Sequence, residues 1–259
     1  SPILGLAVQP SWARVFETFG EDPKLVGDMG VAIIRGLQSP PPPEMNLPAS
    51  VNVTVAACMK HFIGYTNVRT GRDRTPVFLP MNILLQYFAP PFQRAIDEAH
   101  VLSVMENYIE LNGRPVVASE MLLKHLLRTV MNFTGMLVTD YNEIFNLADF
   151  HMAAASYEDA IQMSLNATSI DMAMVGNWAT FPSVSDTIMD FVNRSKPLLD
   201  ATRIMNSGER VLALKRQLGL MDGSPVPNPT GCVFACDHHR EKALDAARQS
   251  IVLLQNNHN

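Results

Sequence analysis

Short apolar runs alternate with segments of helical period along this chain of 259 residues. Five runs have the length of a β-strand, and they cover residues 3–8, 53–59, 101–105, 134–139 and 169–175. In the intervening segments, apolar residues recur every three or four positions, as they do on one face of a helix. Because strands that are apolar on both faces suit a parallel sheet covered by helices, the pattern predicts an α/β fold.

The sequence predicts where three helices begin or end. The first begins after Ser119, and its apolar stripe is predicted to consist of Leu122, Leu126 and Val130. The second begins at Ser156, where the sequence resembles a capping box. The third runs from residue 207 and ends at Gly219, where a left-handed C-cap is expected.

Two Pro-rich stretches interrupt the alternation. Residues 38–50 predict an irregular loop, because consecutive prolines cannot continue a helix. Residues 222–230 read DGSPVPNPT and predict a linker, after which a new helix and a strand at 250–254 begin. We therefore predict a first domain over residues 1–221, a linker over 222–238 and the beginning of a second domain over 239–259.

The composition is that of a globular chain, with 47% apolar residues and a formal net charge of -5. The acidic balance argues against a nucleic-acid-binding surface. No apolar run reaches the roughly 18 residues that a membrane span needs. The first ten residues show no targeting signal, since no basic segment precedes their apolar positions.

Asn-x-Ser/Thr sequons favour a secreted or lysosomal protein. They begin at Asn52, Asn132, Asn166 and Asn193. Cys58 is expected to be a buried small hydrophobe, whereas Cys232 and Cys236 could be bridged or free. A metal site is not expected, because the Cys-x3-Cys spacing and the two histidines that follow do not match the usual zinc spacing.

Polar side chains follow the ends of several apolar runs. They are Lys60 and His61, then Glu106, Asn107 and Tyr108, and then Asp140 and Tyr141. The carboxyl ends of parallel strands open into one shared mouth, so these groups are expected to meet there. A carboxylate, a cation, an imidazole and a phenol can bind a polyhydroxylated ligand and carry out covalent chemistry on it.

Other polar residues are expected to be structural. Asp171, in the fifth run, is expected to pair with Lys60 or Arg72 rather than to contact a ligand. Three glutamates are expected to lie in solvated loops or helices, namely Glu106, Glu110 and Glu143. His125 is expected at the surface.

Six motifs occur in the order and with the spacing of one enzyme family. They are PSWARVFETFGEDP, AACMKHFIGY, TGRDRTP, SVMENYIELNG, GMLVTDYNEI and SIDMAM, and RVLALKRQLGL and ARQSIVLLQNN extend the match to the end. The chain resembles the family 3 glycoside hydrolases, the β-glucosidases and exo-β-glucanases. The resemblance implies a TIM-like (β/α)8 barrel followed by an α/β sandwich domain. About six strand-like runs are present where a barrel needs eight, so we expect a barrel that is incomplete at its N-terminal end.

The resemblance also implies the roles of individual residues. Asp140, in Val-Thr-Asp-Tyr, matches the catalytic nucleophile, which forms a covalent glycosyl ester in a retaining glycosidase. The positions implied to bind substrate are Arg14, Lys60, His61, Arg72, Tyr108 and Tyr141. The implied activity uses no metal or organic cofactor.

The sequence departs from the family pattern at several points. Ala13 stands where the family usually has Gly, and Tyr141 replaces the usual Trp but can still present a ring to a sugar. An early Asp that holds the sugar hydroxyls in the family has no counterpart here. The acid/base Glu of the family comes from the second domain, so we expect this chain alone to be inactive.

The implied reaction is the removal of terminal β-D-glucosyl units from the non-reducing end of β-glucosides or β-glucan oligosaccharides. N-acetylglucosaminidases of the family carry a His proton donor soon after Lys-His-Phe. Residues 63–76 contain no His, which favours the glucosidase branch. The alternative is a non-catalytic, degenerate or truncated product that binds sugar or another protein.

Overall fold

The computed structural model describes residues 1–40, 55–176, 184–194, 198–221 and 236–257. The strands are β1 Cys58–Phe62, β2 Ser103–Glu106, β3 Glu110–Leu111, β4 Arg114–Pro115 and β5 Met136–Val138. The α-helices are α1 Pro23–Leu37, α2 Met81–Ile83, α3 Pro90–Asp97, α4 Glu143–Asp149, α5 Tyr157–Ala167, α6 Val184–Asn193, α7 Ala201–Gln217 and α8 Asp237–Gln249. Within these ranges, two segments are π-helical, Leu84–Phe88 and Met121–Val130, and three 3₁₀ turns cover Val15–Glu17, Tyr65–Asn67 and Val116–Ala118.

A parallel sheet forms the centre of the fold. Strand β2 lies between β1 and β5 and pairs in parallel with both. Single parallel bridges from Ile3 to Lys60 and from Val138 to Met172 add one segment at each side. The five apolar runs therefore lie side by side in chain order, which confirms the predicted α/β class. Across the described ranges the sheet does not close into a ring.

The strands are shorter than the predicted runs. Strand β1 includes Lys60 and His61, and β2 ends with Glu106, so these residues lie in strands rather than after them. Residues 53–54 of the second run lie outside the described residues. Residues 169–175 contribute only the bridge at Met172.

The predicted strand at 250–254 is wrong. Ser250 has helical dihedral angles and ends α8, residues 251–254 belong to no strand, and the side chains of residues 251–254 are largely exposed. A strand needs a neighbour to satisfy its backbone groups, and no partner strand lies beside this segment in the described part of the chain.

The helix after Ser119 forms, but one member of its predicted stripe is wrong. Val130 is exposed, whereas Leu123 and Leu127 are buried together with Leu122 and Leu126. The helix is π-helical over Met121–Val130, and its i→i+5 hydrogen bonds widen each turn. A wider turn rotates the later positions, which carries residue 130 away from the core.

The other two helices follow the predictions more closely. Ser156 caps α5, its Oγ accepting a hydrogen bond from the Asp159 amide at 3.2 Å. Helix α7 begins earlier than predicted, because the Asp200 carboxylate caps it by accepting from the Thr202 amide at 2.9 Å. It ends at Gln217, and Gly219, two residues later, has the predicted left-handed conformation with a φ of 69°.

Two predicted connections lie mostly outside the described residues. These are residues 41–50 of the first Pro-rich loop and residues 222–235 of the linker. Within the described part of the linker, Cys236 is disulfide-bonded and α8 begins at Asp237.

Candidate active site

Asp140 lies at the carboxyl end of the sheet, two residues after β5 ends. Its side chain is buried to about nine-tenths, with 11% exposed. The oxygen Oδ1 accepts a hydrogen bond from the Tyr141 amide at 2.7 Å. The oxygen Oδ2 is buried and has no hydrogen-bond partner among the described residues. A buried carboxylate oxygen without a donor is costly to maintain, so it marks a place where a ligand could supply the missing contact.

His61 faces that oxygen from β1. Its Nε2 lies 3.3 Å from Asp140 Oδ2, close enough for an ion pair but without the geometry of a hydrogen bond. Burial, with smaller contributions from the positive charges of Arg14 and Lys60, holds the pKa of His61 well below its usual value. We therefore treat the imidazole as neutral, so that the contact with Asp140 carries no full ion pair. Lys60 is half-buried on the same strand.

Arg14 reaches the same group of side chains from the N-terminal segment. Its Nη2 lies 3.4 Å from His61 Nε2, and its Nη1 donates to the Tyr65 hydroxyl at 3.4 Å. Its Nε and Nη2 donate to the two carboxylate oxygens of Glu17 at 2.8 and 2.9 Å, and this bidentate pair raises the pKa of Arg14 despite its partial burial. The guanidinium is thereby fixed in orientation next to the imidazole.

An aromatic wall supports this side of the mouth. The Asp73 oxygen Oδ1 accepts hydrogen bonds from Trp12 Nε1 at 2.8 Å and from the Tyr65 hydroxyl at 2.6 Å. The rings of Trp12 and Tyr65 meet edge to face at 5.1 Å between centroids. Tyr65 in turn packs against Tyr108 at 6.2 Å. One carboxylate thus holds two buried rings, and the sequence analysis did not single it out.

Tyr108 and Tyr141 also lie next to Asp140. The Tyr108 hydroxyl accepts from the Tyr141 amide at 3.1 Å. Burial, followed by the negative charge of the nearby Asp140 carboxylate, raises the pKa of Tyr108, so it remains a neutral phenol. The Tyr141 ring is half-exposed, and the backbone at Gly176 runs so close to it that a Cβ there would lie 2.0 Å from ring atoms.

The two arginines of Gly-Arg-Asp-Arg have different positions. Arg72 is exposed, and its guanidinium has no polar partner among the residues with described positions. Arg74 instead lies over the ring of Tyr108, with its Cζ 3.8 Å from the ring centroid. The residue type at 72 and 74 is the same, so sequence alone could not distinguish them.

The expectation for two of the three glutamates is wrong. Glu106 and Glu143 are fully buried, and only Glu110 is partly exposed. The Asp140 amide donates to Glu106 Oε1 at 2.9 Å. Asn146 donates to Glu143 Oε2 at 2.6 Å, and His151 lies between Glu143 and Glu110 at 2.7 and 3.2 Å. Tertiary donors make burial possible, and no local sequence signal reports them.

Asp171 is structural as expected, but its predicted partners are wrong. Its carboxylate pairs with Arg128 and Arg210, at 2.9 Å to each. It also accepts from the Leu137 amide at 2.9 Å and from the Ser207 hydroxyl at 2.7 Å. These partners lie on the π-helix, β5 and α7, so Asp171 joins the helical layer to the sheet rather than facing Lys60 or Arg72.

The described residues hold no group of three or more His, Cys, Asp or Glu side chains arranged for a metal ion. No helix in that part of the chain is both long and apolar enough to cross a membrane. The structure brings together Arg14, Lys60, His61, Tyr108, Asp140 and Tyr141, and leaves Arg72 outside.

The model of the glycosyl hydrolase family 3 N-terminal domain matches residues 1–214. The chain belongs to glycosyl hydrolase family 3. This confirms the predicted family and its α/β, TIM-barrel-like class.

Curated relatives in this family include glucosidases and xylosidases. A lysosomal beta glucosidase of Dictyostelium discoideum is 37% identical over all of this chain and 31% of its own length. A beta-xylosidase of Formosa agariphila is 35% identical over 96% of this chain and 34% of its own length. The chain thus spans about a third of the length of these relatives.

Solved structures agree with this assignment. A β-glucosidase from Erythrobacter marinus superposes with a TM-score of 0.84 at 32% identity, covering 99% of this chain and 32% of that one. A β-glucosidase from Listeria innocua in complex with glucose gives a TM-score of 0.81 at 27% identity, covering 99% of this chain and 34% of that one. Both comparisons support the same fold for nearly the whole chain.

Proposed function

We propose that this chain provides the nucleophile and the sugar-binding mouth of a retaining β-glucosidase. The observation that carries the proposal is Asp140, a buried carboxylate at the carboxyl end of a parallel sheet with one oxygen left unpartnered. Structural carboxylates in the same chain, such as Asp171, are saturated with donors. A carboxylate with one oxygen available, among side chains suited to hydroxyl groups, can act as the nucleophile of covalent glycoside cleavage.

In the first step, Asp140 Oδ2 attacks the anomeric carbon of a terminal glucosyl unit while the bond to the leaving oxygen breaks, and that oxygen takes a proton from the acid/base Glu that the resemblance assigns to a second domain. The products are a glycosyl ester on Asp140 and the released aglycone. In the second step, the same Glu takes a proton from water as the water oxygen attacks the anomeric carbon, the ester bond breaks to restore the Asp140 carboxylate, and glucose leaves with its configuration retained. No metal or organic cofactor takes part in either step.

The neighbouring side chains would bind and orient the sugar. Lys60 and Arg14 offer charged donors, His61 is neutral and can donate or accept, and Tyr108 offers a neutral hydroxyl. Tyr141 presents a half-exposed ring that can stack on the sugar or its aglycone. The exposed Arg72 would contact the substrate from the rim of the mouth.

The resemblance assigns the acid/base Glu to a second domain, with its carboxyl about 5 to 5.5 Å from the nucleophile. We propose that residues 1–221 form the catalytic domain, an incomplete barrel, and that residues 222–238 link it to a second domain that begins at residue 239. Without the acid, cleavage of an unactivated glycoside by these 259 residues is expected to be about 10² to 10⁴ times slower.

A terminal β-D-glucosyl residue is the proposed substrate, carried on a β-glucoside or β-glucan oligosaccharide. Relatives are named as glucosidases and as xylosidases, and one Listeria innocua structure holds laminaribiose. We also propose a secreted or lysosomal location. The Dictyostelium relative is named lysosomal, and the sequon asparagines Asn132, Asn166 and Asn193 are exposed, whereas Asn52 lies outside the described residues.

The proposal is tested by trapping the glycosyl ester. The chain is incubated with a 2-deoxy-2-fluoro-β-glucoside carrying a dinitrophenyl group, whose departure needs no proton. The expected result is a mass increase of one fluoroglucosyl group on the peptide that contains Asp140. Asp140→Asn is the control and should remain unlabelled.

A label on another residue would assign the nucleophile elsewhere. Complete absence of a label, in a chain that still binds glucose, would favour the non-catalytic alternative.

A further inference from the structure

Glu106 is a second buried carboxyl group, and it contacts the backbone of Asp140. The proposed reaction does not use it. The end of β2 carries Glu106, and its neighbour across the sheet is the segment that follows β5. None of its surface is exposed. A fully buried acid next to a proposed nucleophile needs a physical account.

The two oxygens of Glu106 have different surroundings. Oε1 accepts the hydrogen bond from the Asp140 amide at 2.9 Å. Oε2 is buried and has no hydrogen-bond partner among the described residues. The carboxyl group therefore receives a hydrogen bond from the backbone of the proposed nucleophile, and no Arg or Lys side chain among the described residues pairs with it.

Most of the charged groups around Glu106 are negative, as Glu106 itself would be if ionised. Asp140 follows β5, and Glu143 lies at the start of α4. On β1, the imidazole of His61 is uncharged and Lys60 is half-buried. Arg74 lies over the Tyr108 ring, and His151 is engaged by Glu143 and Glu110. Burial, followed by the Glu143 charge, raises the pKa of Glu106 well above its usual value.

Glu143 differs from Glu106 in its partners. Both ring nitrogens of His151 face carboxylate oxygens, at 2.7 Å to Glu143 and 3.2 Å to Glu110, which suits the doubly protonated imidazolium. The hydrogen bonds and charges of these glutamates outweigh burial and raise the pKa of His151. Glu143 is thus compensated by a buried cation, and Glu106 is not.

We propose that Glu106 is a neutral carboxylic acid that positions the nucleophile by accepting the hydrogen bond from the Asp140 backbone amide. This inference rests on the proposed function of Asp140. A neutral acid can fix the main chain of the nucleophile without placing a second negative charge beside its carboxylate. An ionised Glu106 would be an unpaired buried charge next to another acid, which is strongly unfavourable.

The ionisation state is tested without reference to activity. Infrared difference spectra of the 259-residue chain are recorded between the wild type and Glu106→Gln at pH 7. The expected result is a carbonyl stretch of a protonated carboxyl group that is present in the wild type and missing in the variant. A difference spectrum showing only a carboxylate band would overturn the proposal.

The positioning role is tested with two variants that differ in one property. Glu106→Gln retains a carbonyl acceptor for the Asp140 amide, and Glu106→Leu fills a similar volume without one. The leucine variant leaves a buried amide unpaired, and we expect it to be trapped by the activated fluoroglucoside about 10 to 100 times more slowly. The glutamine variant should stay within about threefold of the wild type, and Glu120→Gln, at an exposed helix position, is the matched control.

Two further readouts separate positioning from general damage. The dissociation constant for glucose should change by less than about threefold in Glu106→Leu, because the side chain does not contact the sugar. Amide hydrogen exchange at Asp140 should be fast in Glu106→Leu and slow in Glu106→Gln. Equal exchange in both variants, or equal loss of trapping in both, would refute the positioning role. If no variant is trapped at all, the nucleophile assignment has failed, while exchange and the infrared band still decide the state and contact of Glu106.

Discussion

Two buried aspartates near β5 have opposite electrostatic settings. Asp171, beside β5, pairs with Arg128 and Arg210 and also accepts from a hydroxyl and an amide. Asp140, just after β5, receives one amide and keeps one oxygen unpartnered among the described residues. Burial is similar, but only Asp171 is fully satisfied. Under the proposed function, the first carboxylate stabilises the fold, whereas the second remains available for a ligand.

Removal of the Asp140 carboxylate is the most severe test of this contrast. Asp140→Ala should lower the rate of fluoroglucosyl trapping by at least about 10⁴-fold, because no other group can form the ester. The unfolding free energy should remain within about 1 kcal/mol of the wild type, since only one backbone contact is lost. Rapid-quench trapping and urea denaturation measure the two quantities. A large loss of stability would mean that Asp140 has a structural role like that of Asp171.

Removal of the Asp171 carboxylate should instead act mainly on the unfolding free energy. Asp171→Ala leaves Arg128 and Arg210 buried without their counter-charge and should lower the unfolding free energy by about 3 to 5 kcal/mol. Burial already lowers the pKa of Arg128 to about 10, so this guanidinium depends on its partner. The matched control is Asp190→Ala, which removes an exposed i,i+4 pair with Arg194 and should cost less than about 1 kcal/mol. Equal effects of the two variants in urea denaturation would contradict the contrast.

The two buried histidines extend the comparison to pH. The pKa of His61 is lowered in the folded state, so the unfolded chain binds more protons below about pH 6.5. Folding stability should then fall with decreasing pH by up to about 1.4 kcal/mol per unit, and His61→Gln should remove this slope. Denaturation curves between pH 7 and 5 measure it. An unchanged slope in the variant would mean that His61 is already charged in the folded protein.

His151 should show the reverse dependence. Its pKa is raised in the folded state, so its contribution to stability is complete below about pH 6.5 and is lost as pH rises through the raised value. His151→Gln should flatten stability on the alkaline side while destabilising the protein at pH 6. The same denaturation series extended to pH 9 tests this. If the variant loses stability equally at pH 6 and pH 9, the imidazolium does not compensate Glu143 and Glu110.

The smallest expected effect concerns Arg74. Its guanidinium stacks on the Tyr108 ring at 3.8 Å, and a partly exposed cation–π contact contributes about 0.5 to 1 kcal/mol. Arg74→Met should weaken glucose binding by a few-fold, about 2- to 5-fold by the same energy, whereas Arg72→Met should have a smaller effect. Isothermal titration with glucose compares the two. A larger effect at position 72 would support the sequence-based assignment of that residue instead.

The pattern of apolar runs predicted the parallel α/β sheet and the order of its segments. This succeeds because burial on both faces imposes continuous apolar runs, and buried backbone requires pairing with a neighbour. The motifs that contain Asp140 and the Lys60–His61 pair likewise predicted that these side chains meet at the carboxyl ends of the strands, and His61 lies next to Asp140 there. Local capping was readable at Ser156 and Gly219, because a cap depends on residues within one turn.

Other features were decided by contacts between distant segments. The stripe of the helix after Ser119 depended on a π-helical register, which moved Val130 to the surface. Burial of Glu106 and Glu143 depended on an amide from residue 140 and on His151, and Arg74 rather than Arg72 was carried to the Tyr108 ring. Whether a position is buried depends largely on the apolar character of its own side chain, so the sequence pattern reports it. The partner of a buried charge comes from a distant segment of the chain. Only the tertiary structure therefore determines which buried carboxylate has a counter-charge and which keeps an oxygen without a donor.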